Sequence, residues 1–230
     1  MNRLVGVELI EESPQKIVLQ CLLKPTAYSP EKILRRKYTL SLGMLKDLFD
    51  VLLNSDTELV KSLPKKDDEI DRLYFLLVRI LRTITLNPKL SEKLEFSPID
   101  CLDYRIAASL IESIADRIVL IAKEISGILP FKFPENLVAE IKKIEENMHL
   151  AYEGAIKAFF SKNEKIHTEA IERMYEVMDN IKNLEKALEK ESSTPPRLAY
   201  VLPFSLKGIA GSIRDLLDLV TTIPPAIVSV

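Results

Sequence analysis

The stretch that decides the fold is residues 97–126, whose sequence is SPIDCLDYRIAASLIESIADRIVLIAKEIS. Isoleucine and leucine recur there at spacings of three and four, which places them on one face of a helix. Alanines beside this apolar stripe allow neighbouring helices to approach closely. Ser97 followed by Pro98 is a helix-start signal, because the hydroxyl accepts from a free N–H and proline has none to leave unsatisfied. The stretch therefore predicts a long helix over residues 98–127 that packs against other helices.

The same signals on either side of this stretch predict five more long helices. Ser29-Pro30, Phe133-Pro134 and Thr194-Pro195 mark further starts, and helical apolar periodicity follows each of them. Pro64 lies near the start of the second predicted helix, where proline removes a backbone donor and delays or kinks the helix. The six predicted helices span residues 30–54, 62–87, 98–127, 134–161, 164–191 and 196–221.

The first two dozen residues follow a different pattern. Residues 4–10 and 17–23 are rich in leucine and β-branched side chains, which favour strands. Ser13-Pro14-Gln15-Lys16 between them has the composition of a turn. We therefore predict a β-hairpin, which must pack on the helices or pair with another copy, because an isolated hairpin is marginal in water.

The six predicted helices form two similar sets of three. The third helix of each set is opened by proline, and the two third helices align when Ile114 is set against Ile209. The apolar segment that joins the sets predicts that they are docked. The sequence therefore predicts an all-α protein with two tandem three-helix bundles after a short N-terminal β-hairpin, divided at residues 1–25, 26–129 and 130–230.

Composition excludes several classes of protein. The formal net charge is −2, so no global field draws the chain to nucleic acid or anionic lipid. No apolar run approaches the ~18 residues that a membrane span needs, no signal peptide opens the chain, and two cysteines make no disulfide framework. No phosphate loop, nucleophile elbow or zinc-protease motif is present. We predict a cytoplasmic protein that is not an enzyme.

Two pairs of acids stand four residues apart within these helices, Asp67 with Asp71 and Glu112 with Asp116. Residues at this spacing share a helix face, where like charges cost a few tenths of a kcal/mol. Three explanations remain open: a bound cation, a basic partner, or ion pairs with nearby arginines on a solvated face. All-oxygen ligation suits Mg²⁺, Ca²⁺ or Mn²⁺, and iron is also an option. The basic run Arg35-Arg36-Lys37 is interpreted as a solvated face.

These residues resemble the PhoU family of phosphate-uptake regulators, of the archaeal type. The resemblance rests on residues 67–79, 97–105 and 111–117, is strong over residues 3–127, and continues more weakly to about 221. It implies two three-helix bundles side by side, without catalytic activity. It also assigns the metal-associated family motif to Asp67, Asp71, Glu112 and Asp116, and makes three neighbours candidate partner contacts: Asp68, Arg72 and Arg117.

The resemblance further implies a regulator of phosphate uptake or phosphate signalling that acts by protein–protein contacts. The expected partners are the ATP-binding subunit of a phosphate transporter or another signalling protein, and the expected state is a homodimer that meets a membrane only through a partner. Archaeal relatives often carry an AbrB-like DNA-binding segment ahead of the bundles. This sequence begins where that segment would end, so no direct contact with nucleic acid is expected.

The second repeat departs from the family motif. Lys207 and Gly211 stand where the acids of the third helix should be, and Met178 and Lys182 replace those of the second helix. Because a lysine ammonium repels a cation, we predict that a metal site, if present, belongs to the first bundle alone. Two alternatives to a phosphate regulator stay open: a metal-sensing or metal-binding bundle, and the ligand-sensing part of a transcriptional regulator.

Overall fold

The structure is a computed structural model that describes residues 7–13, 15–21 and 28–220. It confirms an all-α bundle fold preceded by a two-stranded antiparallel hairpin. The predicted strand ends at residues 4–6 and 22–23, the predicted turn residue Pro14 and the apolar residues after 220 lie outside the described residues. The elements are β1 (Val7–Ser13), β2 (Lys16–Cys21), α1 (Pro30–Asn54), α2 (Thr57–Thr85), α3 (Pro88–Leu94), α4 (Pro98–Ser126), α5 (Glu135–Ser161), α6 (Glu164–Lys190) and α7 (Pro196–Asp218).

The hairpin pairs β1 with β2 in the register Leu9 to Leu19. The register shifts between Leu9 and Glu11, as at a β-bulge. The Ser13 hydroxyl donates to the Lys16 carbonyl at 3.3 Å and ties the strand ends together beside the turn. The predicted hairpin is therefore present in the described residues 7–13 and 15–21.

The second helix begins earlier than predicted, at Thr57 instead of residue 62. The Asp56 carboxylate caps it by accepting from the N–H groups of Glu58 and Leu59, at 2.9 and 3.0 Å. Pro64 therefore lies inside the helix, and the predicted delay is wrong. The short helix α3 is an addition to the prediction, and it begins after Asn87, whose side chain accepts from its first turn.

The long helices pack in two groups of three. Helices α1, α2 and α4 contact one another, as do α5, α6 and α7, and the α4–α7 and α1–α5 contacts join the groups. One continuous core of buried side chains runs through both groups. The division of the chain at residues 129 and 130 stays a prediction. Among the described residues, no helix is long and apolar enough to cross a membrane.

Two contacts fix the helices across this junction. Helices α4 and α7 run in opposite directions, and Arg197 on α7 pairs with Glu124 on α4 at 2.6 Å. Tyr152 on α5 is fully buried, packs edge-on against Tyr38 of α1 at 5.1 Å between ring centroids, and shares a hydrogen bond of 3.0 Å with the Ser41 hydroxyl. Polar and apolar contacts therefore both hold the two groups together.

The Ser41 to Tyr152 hydrogen bond allows a test of this junction. We expect Ser41→Ala to lower the free energy of unfolding by about 1–2 kcal/mol, because the tyrosine hydroxyl would stay buried without a partner. The double variant Ser41→Ala with Tyr152→Phe should recover most of this loss, since neither polar group then remains. Urea unfolding of the three proteins measures the effect. A double variant less stable than Ser41→Ala would contradict the argument.

Candidate functional site

The predicted acid pairs come together in the structure. Helices α2 and α4 run in opposite directions, so Asp67 and Asp71 on α2 lie beside Glu112 and Asp116 on α4. Their charges interact: Asp71 and Asp116 both favour the protonated form of Glu112, and Asp116 does the same to Asp67. Sequence spacing alone had placed each pair on a helix face. The fold adds that the two faces meet, and we call these four residues the acid cluster.

A lysine that the sequence analysis assigned to solvent lies within the acid cluster. The Lys37 side chain on α1 is fully buried, its Nζ donates to the Ala108 carbonyl at 2.7 Å, and it lies 3.6 Å from the Glu112 carboxylate. The ammonium also stands 4.4 Å from the centroid of the Tyr74 ring. Burial lowers the pKa of Lys37 to about 7, while Glu112 and Asp71 favour its charged form. The acid cluster thus contains its own cation.

Lys37 is a residue of the candidate site that sequence reasoning missed, and the assignment of the basic run to a solvated face was wrong for this residue. Arg35 and Arg36 are exposed, as expected for such a face. Lys37 instead continues a helical stripe of buried residues, three and four positions from its neighbours. The other members of that stripe are Ile33, Leu34, Ser41, Met44 and Leu45. Periodicity was therefore the signal that would have found it.

The four carboxylates occupy different environments. Asp71 is 8% exposed, Asp67 and Glu112 are half-buried, and Asp116 is exposed. The Asp67 Oδ1 atom is buried without a hydrogen-bond partner. Burial, followed by the charges of Asp116 and Asp71, raises the pKa of Asp67 to about 6. Burial and the neighbouring carboxylates therefore disfavour the charged form of Asp67 in the folded protein.

We expect Asp67→Asn to stabilise the protein at pH 7.5 and to have little effect near pH 4. The pKa of Asp67 in the folded chain lies above that of an unfolded aspartate, about 3.9, so the folded state holds the proton more tightly. Stability is therefore lost as pH rises between these two values, and asparagine removes that loss. Allowing for solvent screening of a half-buried group, the gain at pH 7.5 should be about 1 kcal/mol.

Urea unfolding of the parent and the variant at both pH values measures this gain. Asp215→Asn is a suitable control, because Asp215 is exposed on α7. A gain of equal size at both pH values would contradict a titration origin.

The acid cluster does not fit a resident metal ion as its side chains are placed. In the described ranges, no three His, Cys, Asp or Glu side chains are arranged so that they could hold one. The Lys37 ammonium already supplies positive charge to Glu112 and Asp71. Metal coordination by the four acids stays a prediction from the family resemblance.

The three predicted partner contacts lie in two places. Asp68 and Arg72 are exposed on α2, and Arg72 stands 3.7 Å from the Glu69 carboxylate. Arg117 is half-buried between the two helix groups instead: a Cβ atom added at Gly208 of α7 would lie 2.2 Å from its guanidinium carbon. The first two residues thus lie on the exposed face of α2, whereas Arg117 packs within the chain.

The corresponding region of the second helix group pairs its charges internally. The Lys207 ammonium on α7 lies 2.6 Å from the Glu185 carboxylate on α6, and Lys182 lies 3.0 Å from Asp179. The two lysines that replace family acids thus have acidic neighbours in the same group. The predicted absence of a metal site from this half stays a prediction.

Comparison with known proteins shows a family model and a solved structure that this chain resembles. Residues 34–125 match the model of the PhoU domain, and this span covers most of α1 together with α2, α3 and nearly all of α4. The fold is similar to that of PhoU from Pseudomonas aeruginosa, with a TM-score of 0.61 and 16% sequence identity over 83% of this chain and 93% of that chain. No curated protein matches the sequence significantly.

Proposed function

Because residues 34–125 match the model of the PhoU domain, we propose that this chain belongs to the PhoU family and regulates phosphate uptake or phosphate signalling through protein–protein contacts. The observation that carries the proposal is that the matched residues contain both the acid cluster and Lys37. The likeness to a PhoU structure supports the fold on which this surface is built. The proposal includes a cytoplasmic location and a homodimer, as the family resemblance implies.

The proposed mechanism is electrostatic docking on the exposed part of the acid cluster. Lys37 lies beside the Glu112 carboxylate in the interior, whereas Asp116 on α4 and Asp68 on α2 are exposed, so a partner can reach these two carboxylates. Complementary charges speed association and fix the orientation of a complex more than they raise its affinity. The partner should therefore present a basic surface, and the ATP-binding subunit of a phosphate transporter is the first candidate.

Binding of that subunit to charge-reversed variants tests the mechanism. We expect Asp68→Lys together with Asp116→Lys to weaken binding by about 10-fold or more at low salt, and by less at high salt. Glu169→Lys is the matched control, because Glu169 is an exposed acid on α6 of the other helix group. Equal affinity of the double variant and the parent would refute docking on this surface.

A metal-sensing bundle is the competing function. Its one structural support is the buried, unpartnered oxygen of Asp67. Thermal denaturation with added Mg²⁺, Mn²⁺ or Fe²⁺ separates the two functions, because a ligand that binds only the folded state stabilises it by RT ln(1 + [L]/Kd). Stabilisation that is lost in Asp67→Asn would favour metal sensing. Unchanged stability would leave the protein-contact mechanism.

A further inference from the structure

A groove with apolar walls lies at the far end of the α2–α4 surface from the acid cluster. It has a volume of about 600 Å³ and is formed by the last turns of α2 and the first turns of α4. Arg82 on α2 and Leu102 on α4 both line it. Three helical turns separate Arg82 from Asp71, or about 16 Å along the axis. The groove is therefore displaced along the helices from the exposed acids Asp68 and Asp116, although its Arg105 and the Lys37 of the acid cluster both contact the Tyr74 ring.

Large apolar side chains are exposed around this groove. Leu86 is 85% exposed at the end of α2, and Ile99 and Leu102 are 56% and 59% exposed on α4. Ile106 follows at the next helical spacing, so that the α4 residues form a ridge about 10 Å long. Scattered apolar residues are normal on a protein surface. Here Leu86 and Leu102 line the groove, while Ile99 and Ile106 extend the α4 face beside it, and contiguous apolar patches of this kind mark interaction sites.

The charge of the groove has one sign. Arg82 and Arg105 line it together with apolar residues, and no aspartate or glutamate does, although the chain as a whole has more acids than bases. The Arg105 guanidinium carbon lies 4.7 Å from the centroid of the Tyr74 ring, and this cation–π contact holds the guanidinium on the groove wall. In the described part of the chain, neither arginine is paired with a carboxylate.

We propose that this groove binds an amphipathic helix of a partner protein, with an apolar ridge flanked by acidic residues. A groove between two helices accepts a third helix through anchors spaced three and four residues apart, and the ridge from Ile99 to Ile106 has that spacing. Carboxylates of the bound helix would pair with Arg82 and Arg105, whose planar guanidinium groups favour such partners. The inference goes beyond the proposed function, because it concerns another surface and requires no role in phosphate regulation.

Two labelled synthetic peptides test the proposal with the full chain. The first is a helix of about four turns with leucines at positions i, i+3 and i+7 and glutamates beside them. The second has lysine in place of every glutamate. We expect fluorescence anisotropy to show binding of the glutamate peptide, and an affinity at least about 10-fold lower for the lysine peptide.

Variants of the groove locate the binding. Leu102→Asp should abolish binding of the glutamate peptide, and Arg82→Glu should weaken it about 10-fold while improving binding of the lysine peptide. Both side chains are exposed, so both variants should fold. Tyr175→Asp is the matched control, because Tyr175 is 69% exposed on α6, and it should leave the affinity unchanged.

Three results would overturn the proposal. The first is equal binding of the two peptides, or binding that survives Leu102→Asp. The second is that neither peptide binds, that the parent protein is a dimer, and that Leu102→Asp converts it to a monomer in sedimentation equilibrium. The groove would then be an interface between two copies of the chain. The third is that neither peptide binds, that the parent protein is a monomer, and that Leu102→Asp lowers its thermal stability. A segment of the same chain would then cover the groove.

Discussion

Lys37→Ala is expected to destabilise the protein by about 3 kcal/mol at pH 7, the lower end of the range for removing one partner of a buried ion pair, because a Lys37 pKa of about 7 leaves the ammonium partly charged and Glu112 is only half-buried. The Lys37 side chain is fully buried, and its Nζ satisfies the Ala108 carbonyl and lies 3.6 Å from the Glu112 carboxylate. Alanine would leave a cavity and remove the only cation that the structure buries beside Glu112 and Asp71, among the described residues. Urea unfolding measures the loss.

Lys37→Met separates the charge of this side chain from its volume. Methionine fills much of the same space, so the loss that remains at pH 7 reflects the Glu112 carboxylate without the Lys37 ammonium beside it. At pH 5 this loss should shrink, because burial raises the pKa of Glu112 and Asp67 and protonation relieves the excess negative charge. The expected signature is a methionine variant closer in stability to the parent at pH 5 than at pH 7.

The control for both variants is Lys61→Met on α2. The Lys61 side chain is 70% exposed and pairs with Glu58, so its replacement should change the free energy of unfolding by less than about 0.5 kcal/mol. A Lys37→Met protein as stable as the parent at pH 7 would show that the acid cluster needs no internal cation.

Gly154→Val is expected to destabilise the protein by about 3 kcal/mol through overpacking. Gly154 lies on α5 where it crosses α6, and a Cβ atom built on it would stand 2.8 Å from the Ala170 Cβ and 3.6 Å from the Ala170 Cα. Both atoms belong to or adjoin the backbone of α6, so no flexible side chain can move aside. The two helices must separate, and the core between them loosens.

Gly43 provides the matched control. It lies within α1, and a Cβ atom there would meet nothing within 4 Å. Gly43→Ala should therefore stabilise the protein by up to about 1 kcal/mol, because alanine restricts the unfolded chain and favours the helix. Thermal unfolding of both variants measures the contrast. Destabilisation of similar size in the two proteins would mean that close approach of α5 and α6 is not the cause.

The long helices were predictable because each carries its own signals. Their apolar periodicity and starting prolines are local, and five of the six predicted helices begin within a residue of their observed start. The exception, α2, depends on Asp56, whose carboxylate caps the helix and was not recognised as a start signal. Because Pro64 was expected to delay the helix, its start was predicted at residue 62 instead of Thr57. The short helix α3 buries none of its residues, so it lacks the apolar stripe on which the prediction relied.

The candidate site was predictable only in part, since its members come from three helices. Spacing identified the acids on α2 and α4, because residues four apart share a helix face whatever the fold. The proximity of the two pairs, and the arrival of Lys37 from α1, depend on how the helices pack. Lysine is rarely buried fully unless it is paired, and its partners are far away in the sequence. That is why a basic residue on an apolar stripe was assigned to solvent.

The surface formed by α2 and α4 carries charge of opposite sign at its two ends. Carboxylates gather at the end that holds Asp67 and Asp116, and guanidinium groups at the end where Arg82 and Arg105 line the groove. Because the two helices run in opposite directions, each end draws on both of them. An elongated charged segment lying along this surface would therefore have only one favourable direction, with its basic end over the carboxylates and its acidic end over the arginines. The packing of α2 against α4 thus gives this surface a direction that a bound segment must match with its own charges.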